Sequence, residues 1–69
     1  MSETSTINIQ GMSCQHCVQA VNQAVNGISG VFDVQVDLAG GSATVTFDAQ
    51  ETSLDDIKAA IADEGFEVL

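Results

Sequence analysis

Both cysteines and the only histidine of this 69-residue chain fall within one short run, Gly11-Met12-Ser13-Cys14-Gln15-His16-Cys17. Two thiols at Cys-x-x-Cys spacing, in a loop that enters a helix, can grip one metal ion from the same side. Thiolate ligands select soft metals, which among biological ions means chiefly Cu(I), with Zn(II) next. The positive end of the helix favours thiolate over thiol and so prepares both ligands. The chemistry open to such a site is to hold a metal, to pass it on, or to shuttle electrons.

Cys14 and Cys17 are therefore the candidate metal ligands. A closed structural zinc site takes four protein ligands, and this chain offers two thiolates and one imidazole. Water, a carboxylate or a second molecule would have to complete it. The competing reading is a thioredoxin-like redox pair, but the chain is short for that fold. It also has no proline with which to build a cis-proline loop beside the dithiol. His16, between the cysteines, is expected to project outward from the first helical turn. There it tunes thiol acidity or docking, and ligation by it is reserved for a dimer or copper-loaded assembly. Met12, Phe66 and the valines after Cys17 read as core residues, Phe66 also shielding the loop from water.

The elements that must hold this loop follow from periodicity. Thr6-Ile7-Asn8-Ile9-Gln10 alternates as a half-buried strand. From Cys17, apolar residues recur at Val18, Val21, Ala24, Val25 and Ile28, opposite Gln19, Asn22, Gln23 and Asn26. That is one apolar helix face, ended by Gly27 and Gly30. Phe32, Val34, Val36 and Leu38 alternate with Asp33, Gln35 and Asp37 in a second strand. Gly40-Gly41 is expected to make a two-residue hairpin turn into a third strand with Ala43, Val45 and Phe47 on one side. Ser53 and Asp56 have capping-box spacing at the start of a second helix buried along Leu54, Ile57, Ala60 and Ile61. Gly65 ends it, and Phe66-Glu67-Val68-Leu69 forms a short last strand.

Strand, helix, strand, strand, helix, strand specifies an α+β, ferredoxin-like βαββαβ fold. The expectation is a four-stranded antiparallel sheet with both helices on one face, and residues 1–69 as a single domain. So small a chain buries only about 60% of its unfolded surface, and one bridge across two residues would add almost no loop entropy.

Ten carboxylates against Lys58 alone give a net charge of −9. Nucleic acid is excluded as a natural partner, because phosphate binding needs clustered Lys and Arg. No Asp, Glu, Lys or Arg occurs from Thr4 through Phe32, so the cysteine loop and the segment after it are neutral apart from His16 and the thiols. A carboxylate there would raise the thiol pKa by like-charge repulsion. No charged and apolar leader opens the chain, and no apolar run approaches the about 18 residues of a membrane span. The expectation is a cytoplasmic protein without membrane insertion, in a reducing compartment where free thiols survive.

With that element order around Gly11-Met12-x-Cys14-x-x-Cys17, the chain resembles the heavy-metal-associated domain family from Ile7 to Val68, closest to its bacterial and archaeal copper chaperones. The resemblance implies Cu(I) held by Cys14 and Cys17 near the surface. It further implies delivery to a similar domain of a copper-transporting P-type ATPase, without enzymatic activity. Zn(II) or another soft metal would bind in vitro, and Met12 would pack under the loop rather than ligate. The protein would be a monomer when metal-free, with a copper-dependent dimer left open. Ser13 precedes Cys14 where an acidic residue would suit a zinc exporter. By the same resemblance, Phe66 favours a detached ATPase domain over a chaperone, which would carry tyrosine nearby. A start at Met1 and an end directly after the fourth strand favour the free protein.

Overall fold

The computed structural model describes residues 2–69. The elements are β1 (Ser2–Gln10), α1 (Gln15–Asn26), β2 (Val31–Asp37), β3 (Ser42–Asp48), α2 (Leu54–Asp63) and β4 (Glu67–Val68). The strands form one sheet in the order β2-β3-β1-β4, and every neighbouring pair is antiparallel. β1, which delivers the chain to the cysteine loop, is thus a central strand paired on both edges.

Alternation places Ile7 and Ile9 of β1 and Ala43, Val45 and Phe47 of β3 on one sheet face, all buried. Val21 and Val25 of α1 and Ile57 and Ile61 of α2 join the same core cluster, so both helices cover that face. Fully burying one such side chain contributes about 1.5–3 kcal/mol. Among the described residues the ten buried apolar ones all lie outside residues 11–17, so the cysteine loop is not what holds the fold together. On the other face, hydroxyls pair across the strands, Thr4 with Thr46 at 3.3 Å and Thr6 with Thr44 at 3.4 Å. The architecture is the expected ferredoxin-like βαββαβ arrangement.

Four details differ from the reading of the sequence. β1 begins at Ser2, because Ser2 to Ser5 pair with Asp48 to Val45 of β3, and ladder hydrogen bonds make a strand of a polar stretch. Phe32, expected to face inward, is 62% exposed. A register shift between Val31 and Asp33 inserts one residue, as a β-bulge does, and Val31 takes the inward place opposite Phe47. The hairpin is a four-residue turn over Leu38 to Gly41 rather than a two-residue one. Gly40 N–H donates to Asp37 Oδ1 at 3.1 Å, and Gly41 takes φ +64°, where glycine is favoured. The last strand is only Glu67–Val68, extended by a bond from Leu69 N–H to the Asn8 carbonyl at 2.9 Å. Phe66 stands before that strand.

The start of α2 is as expected. Ser53 is the N-cap, and its side-chain oxygen accepts from Asp56 N–H at 3.2 Å. Among the described residues no helix is long and apolar enough to cross a membrane.

Candidate metal centre

β1 ends at Gln10, and Gly11 turns the chain out of the sheet at φ +99°. A Cβ at Gly11 would also sit 3.7 Å from Phe66 Cδ1, so the Phe66 ring lies against the turn that launches the loop. Met12, half-buried, packs against the core, as does Phe66. The loop is therefore fastened at its root while Ser13 and Cys14 remain exposed. Both residues thus lie at the root of the loop.

Cys14 is the N-cap of α1 in extended conformation, φ −157° and ψ 174°. Its carbonyl accepts from Cys17 N–H at 3.1 Å and Val18 N–H at 3.3 Å. That first turn brings the two side chains to the same side, with Sγ to Sγ 3.8 Å. Both are free thiols, Cys14 exposed and Cys17 half-buried. A disulfide would require about 2.05 Å. Two metal–sulfur bonds of about 2.3 Å each span up to about 4.6 Å, so one ion can reach both sulfurs with little movement.

The electrostatics favour an anionic site. α1 carries no acidic residue in its first turn and no side-chain hydrogen bond at its cap. The free N–H groups at that end are thus left for a negative visitor. The Cys17 thiol is held below its ordinary value of 9.0, first by the Ser13 backbone N–H. Partial burial opposes this, and hydrogen bonds from the Cys14 side chain and backbone and from the Ser13 hydroxyl add to the lowering. As a neutral thiol, Cys17 Sγ points to the Gly11 carbonyl at 4.0 Å.

His16 is exposed. Among the described residues no three His, Cys, Asp or Glu side chains converge as a metal cluster. The fold brings Cys14 and Cys17 together and leaves His16 out of that pair. Ser13, which helps hold the Cys17 thiol down, is a neighbour of the pair that spacing alone did not single out. Its signal was its place between a fastened loop root and the first cysteine.

Comparison with known proteins agrees with this arrangement. Residues 6–67 match the family model described as the heavy-metal-associated domain. The chain is 47% identical over 66 residues to the copper chaperone CopZ of Bacillus subtilis, with 96% of each chain covered. It is 40% identical over 63 residues to the copper chaperone CopZ of Staphylococcus aureus, covering 91% of this chain and 93% of that one. Among solved structures it resembles the N-terminal domain of a potential copper-translocating P-type ATPase from Bacillus subtilis in the Cu(I)-loaded state. There the identity is 31% and the TM-score 0.93, covering 99% of this chain and 85% of that one. In sequence and in fold alike, the chain belongs to the heavy-metal-associated domain family.

Proposed function

We propose that this protein is a cytoplasmic Cu(I) metallochaperone, which binds copper through Cys14 and Cys17 and passes it to a copper-transporting P-type ATPase. The observation that carries the reading is the dithiol, 3.8 Å between sulfurs with Cys14 exposed, on a loop outside the core with no third His, Cys, Asp or Glu gathered around it among the described residues. Two thiolates suit Cu(I) in a near-linear arrangement and leave its flanks open. Zn(II) is poorly served, since it normally takes four ligands. The likeness to copper chaperones supports the same cargo and a role without bond-making catalysis.

Transfer is ligand exchange at copper. A partner thiolate donates an electron pair to the bound ion, giving a three-coordinate intermediate. One sulfur of this chain then leaves with its bonding pair and takes up a proton. A second exchange completes the transfer, and copper remains Cu(I) throughout. No step releases a bare ion, so tight binding and fast delivery are compatible. The requirement for an accessible attacking thiolate parallels thiol–disulfide exchange. The exposed Cys14 is the sulfur a partner reaches most directly, and His16 acts on the surroundings of the pair rather than as a ligand of the monomer.

A metal-binding domain belonging to an ATPase is the second reading, favoured by Phe66 and by the likeness to the ATPase domain. It uses the same chemistry, and the size of the native protein on an immunoblot separates the two. The cargo is tested by anaerobic competition titration of Cu(I) against Zn(II) under reducing conditions. Cu(I) is expected to be held against a chelator that strips Zn(II); equal or stronger retention of Zn(II) would refute the copper assignment.

A further inference from the structure

Pairing between the strands β1 and β3 ends at Asn8 opposite Ser42, yet one more rung follows, and the β2–β3 turn supplies it. Ile9 N–H donates to the Gly41 carbonyl at 2.7 Å. On the other edge the Asn8 carbonyl accepts from Leu69 N–H at 2.9 Å, and Ile9 lies opposite Val68. The last residues of β1 are therefore held from both sides just before the chain leaves the sheet at Gly11.

The turn is shaped for that bond. Gly41 takes φ +64°, and a Cβ there would stand 3.2 Å from the Ile9 carbonyl oxygen. Any other residue at this place would press on Ile9 as well as strain the turn. Asp37 sets the turn from its other end. Its Oδ1 accepts from Gly40 N–H at 3.1 Å, and its Oδ2 fills the space beside Gly40, 2.7 Å from where a Cβ would stand. Gly41 N–H closes the turn on the Leu38 carbonyl at 3.3 Å.

What is fixed at Ile9 reaches the dithiol over a short tether. β1 ends at Gln10 and the N-cap of α1 is Cys14, so Gly11, Met12 and Ser13 alone join them. Three residues span at most about 10 Å, and α1 is docked by Val21 and Val25 in the core. A shift at the end of β1 meets little slack before Cys14. The Gly11 carbonyl stands 4.0 Å from Cys17 Sγ, so the direction in which Gly11 leaves the sheet bears on the second sulfur too.

We propose that the β2–β3 turn aims the metal loop: Asp37 and Gly40 shape the turn, and the Gly41 carbonyl, by holding Ile9, sets the direction in which the chain departs toward Cys14. Asp37 and Gly41 are positioning residues, and neither touches the metal. This role rests on the reading of Cys14 and Cys17 as the metal pair, whatever acceptor follows. Groups that orient metal ligands from behind typically contribute about 10–100-fold in affinity, and a turn acting through the loop root belongs at the lower end.

The test compares Gly41→Ala, Asp37→Ala and Asp37→Asn in the full chain, with Ser53→Ala as a variant that weakens the fold at α2, away from the tether. Two probes read the folded proteins. One is Cu(I) affinity by chelator competition; the other is capture by phenylarsine oxide, which closes on two neighbouring thiols with loss of water. Gly41→Ala is expected to weaken both by about tenfold and Asp37→Ala by about threefold. Asp37→Asn keeps an acceptor oxygen and should stay within about twofold of wild type, as should Ser53→Ala. Asp37→Ala leaves every glycine in place and carries the test where Gly41→Ala does not fold. Wild-type affinity and capture in the turn variants, no rescue by Asp37→Asn, or an equal loss in Ser53→Ala would overturn the positioning role. Weakened arsenical capture in the turn variants, with Cu(I) held by none of the proteins, would instead sink the copper assignment and leave the turn its role.

Discussion

The two helices begin in opposite ways. α2 starts with a built-in cap: Ser53 accepts from Asp56 N–H, and Asp55 and Asp56 stand in the first turn. Its positive end is satisfied by this chain's own oxygen atoms. α1 starts with Cys14 at the N-cap, no side-chain cap bond and no acidic residue in the first turn. Its positive end is left for the anionic dithiolate, and the local stabilisation a cap would supply is forgone. What stabilises α1 instead is tertiary, the burial of Val21 and Val25 in the shared core. Within one small fold, one helix start is closed by its own cap and the other is left open beside the dithiol.

The largest effect that separates the two ends is expected at the cysteines. On the proposed copper site, Cys14→Ser or Cys17→Ser each removes one of two thiolates and should lower Cu(I) affinity by orders of magnitude. Circular dichroism should remain native, including for the double mutant, because the core excludes the loop. Unfolding of the metal-free double mutant would mean that the metal is structural. His16→Ala belongs to the same titration and should leave affinity at neutral pH nearly unchanged. A loss comparable to that of a cysteine variant would return His16 to the ligand set.

The next contrast is to exchange the character of the two helix starts. Ser53→Ala should cost about 1 kcal/mol in urea unfolding and leave Cu(I) affinity alone. Gln15→Glu places an acid in the first turn of α1, where it should stabilise the metal-free fold by about 0.3–1 kcal/mol. It should also weaken Cu(I) binding, since a carboxylate beside thiolates opposes their ionisation. If Gln15→Glu left copper affinity unchanged, the vacancy of negative charge at α1 would have no bearing on the site.

The smallest effect is in acidity. Cys17, held below 9.0 chiefly by the Ser13 backbone N–H, should alkylate with iodoacetamide at lower pH than an unperturbed thiol. Peptide mapping across a pH series reads this directly. Ser13→Ala keeps the backbone donor and loses only the hydroxyl, so its profile should move up slightly. Because the folded-state value is lowered, the thiolate's contribution to stability is present above the unfolded-state pKa. It is lost as the pH falls through the folded value. An alkylation profile at or above the ordinary thiol range would contradict the hydrogen bonding seen around Cys17.

Much of this molecule is legible in the chain because it depends on short-range rules. Alternation placed Ile7, Ile9, Ala43, Val45 and Phe47 inside, and three-four spacing placed Val21, Val25, Ile57 and Ile61 there. The Ser53 cap and the cysteine pair at a helix start follow from types and spacing alone, as does the charge-free stretch from Thr4 to Phe32. What needed tertiary structure depends on pairing between segments far apart in sequence. Phe32 faces solvent because β3 sets the register of β2 and leaves one residue over, which no pattern within β2 can reveal. The polar start of β1 becomes strand only because β3 lies beside it. The 3.8 Å between the sulfurs and the Ser13 donors on Cys17 come from a loop whose root is fixed by Met12 and Phe66. Spacing could name the candidate ligands and, through the first turn of α1, their common side. What packing from the far end of the chain adds is the Phe66 ring against the root of the loop.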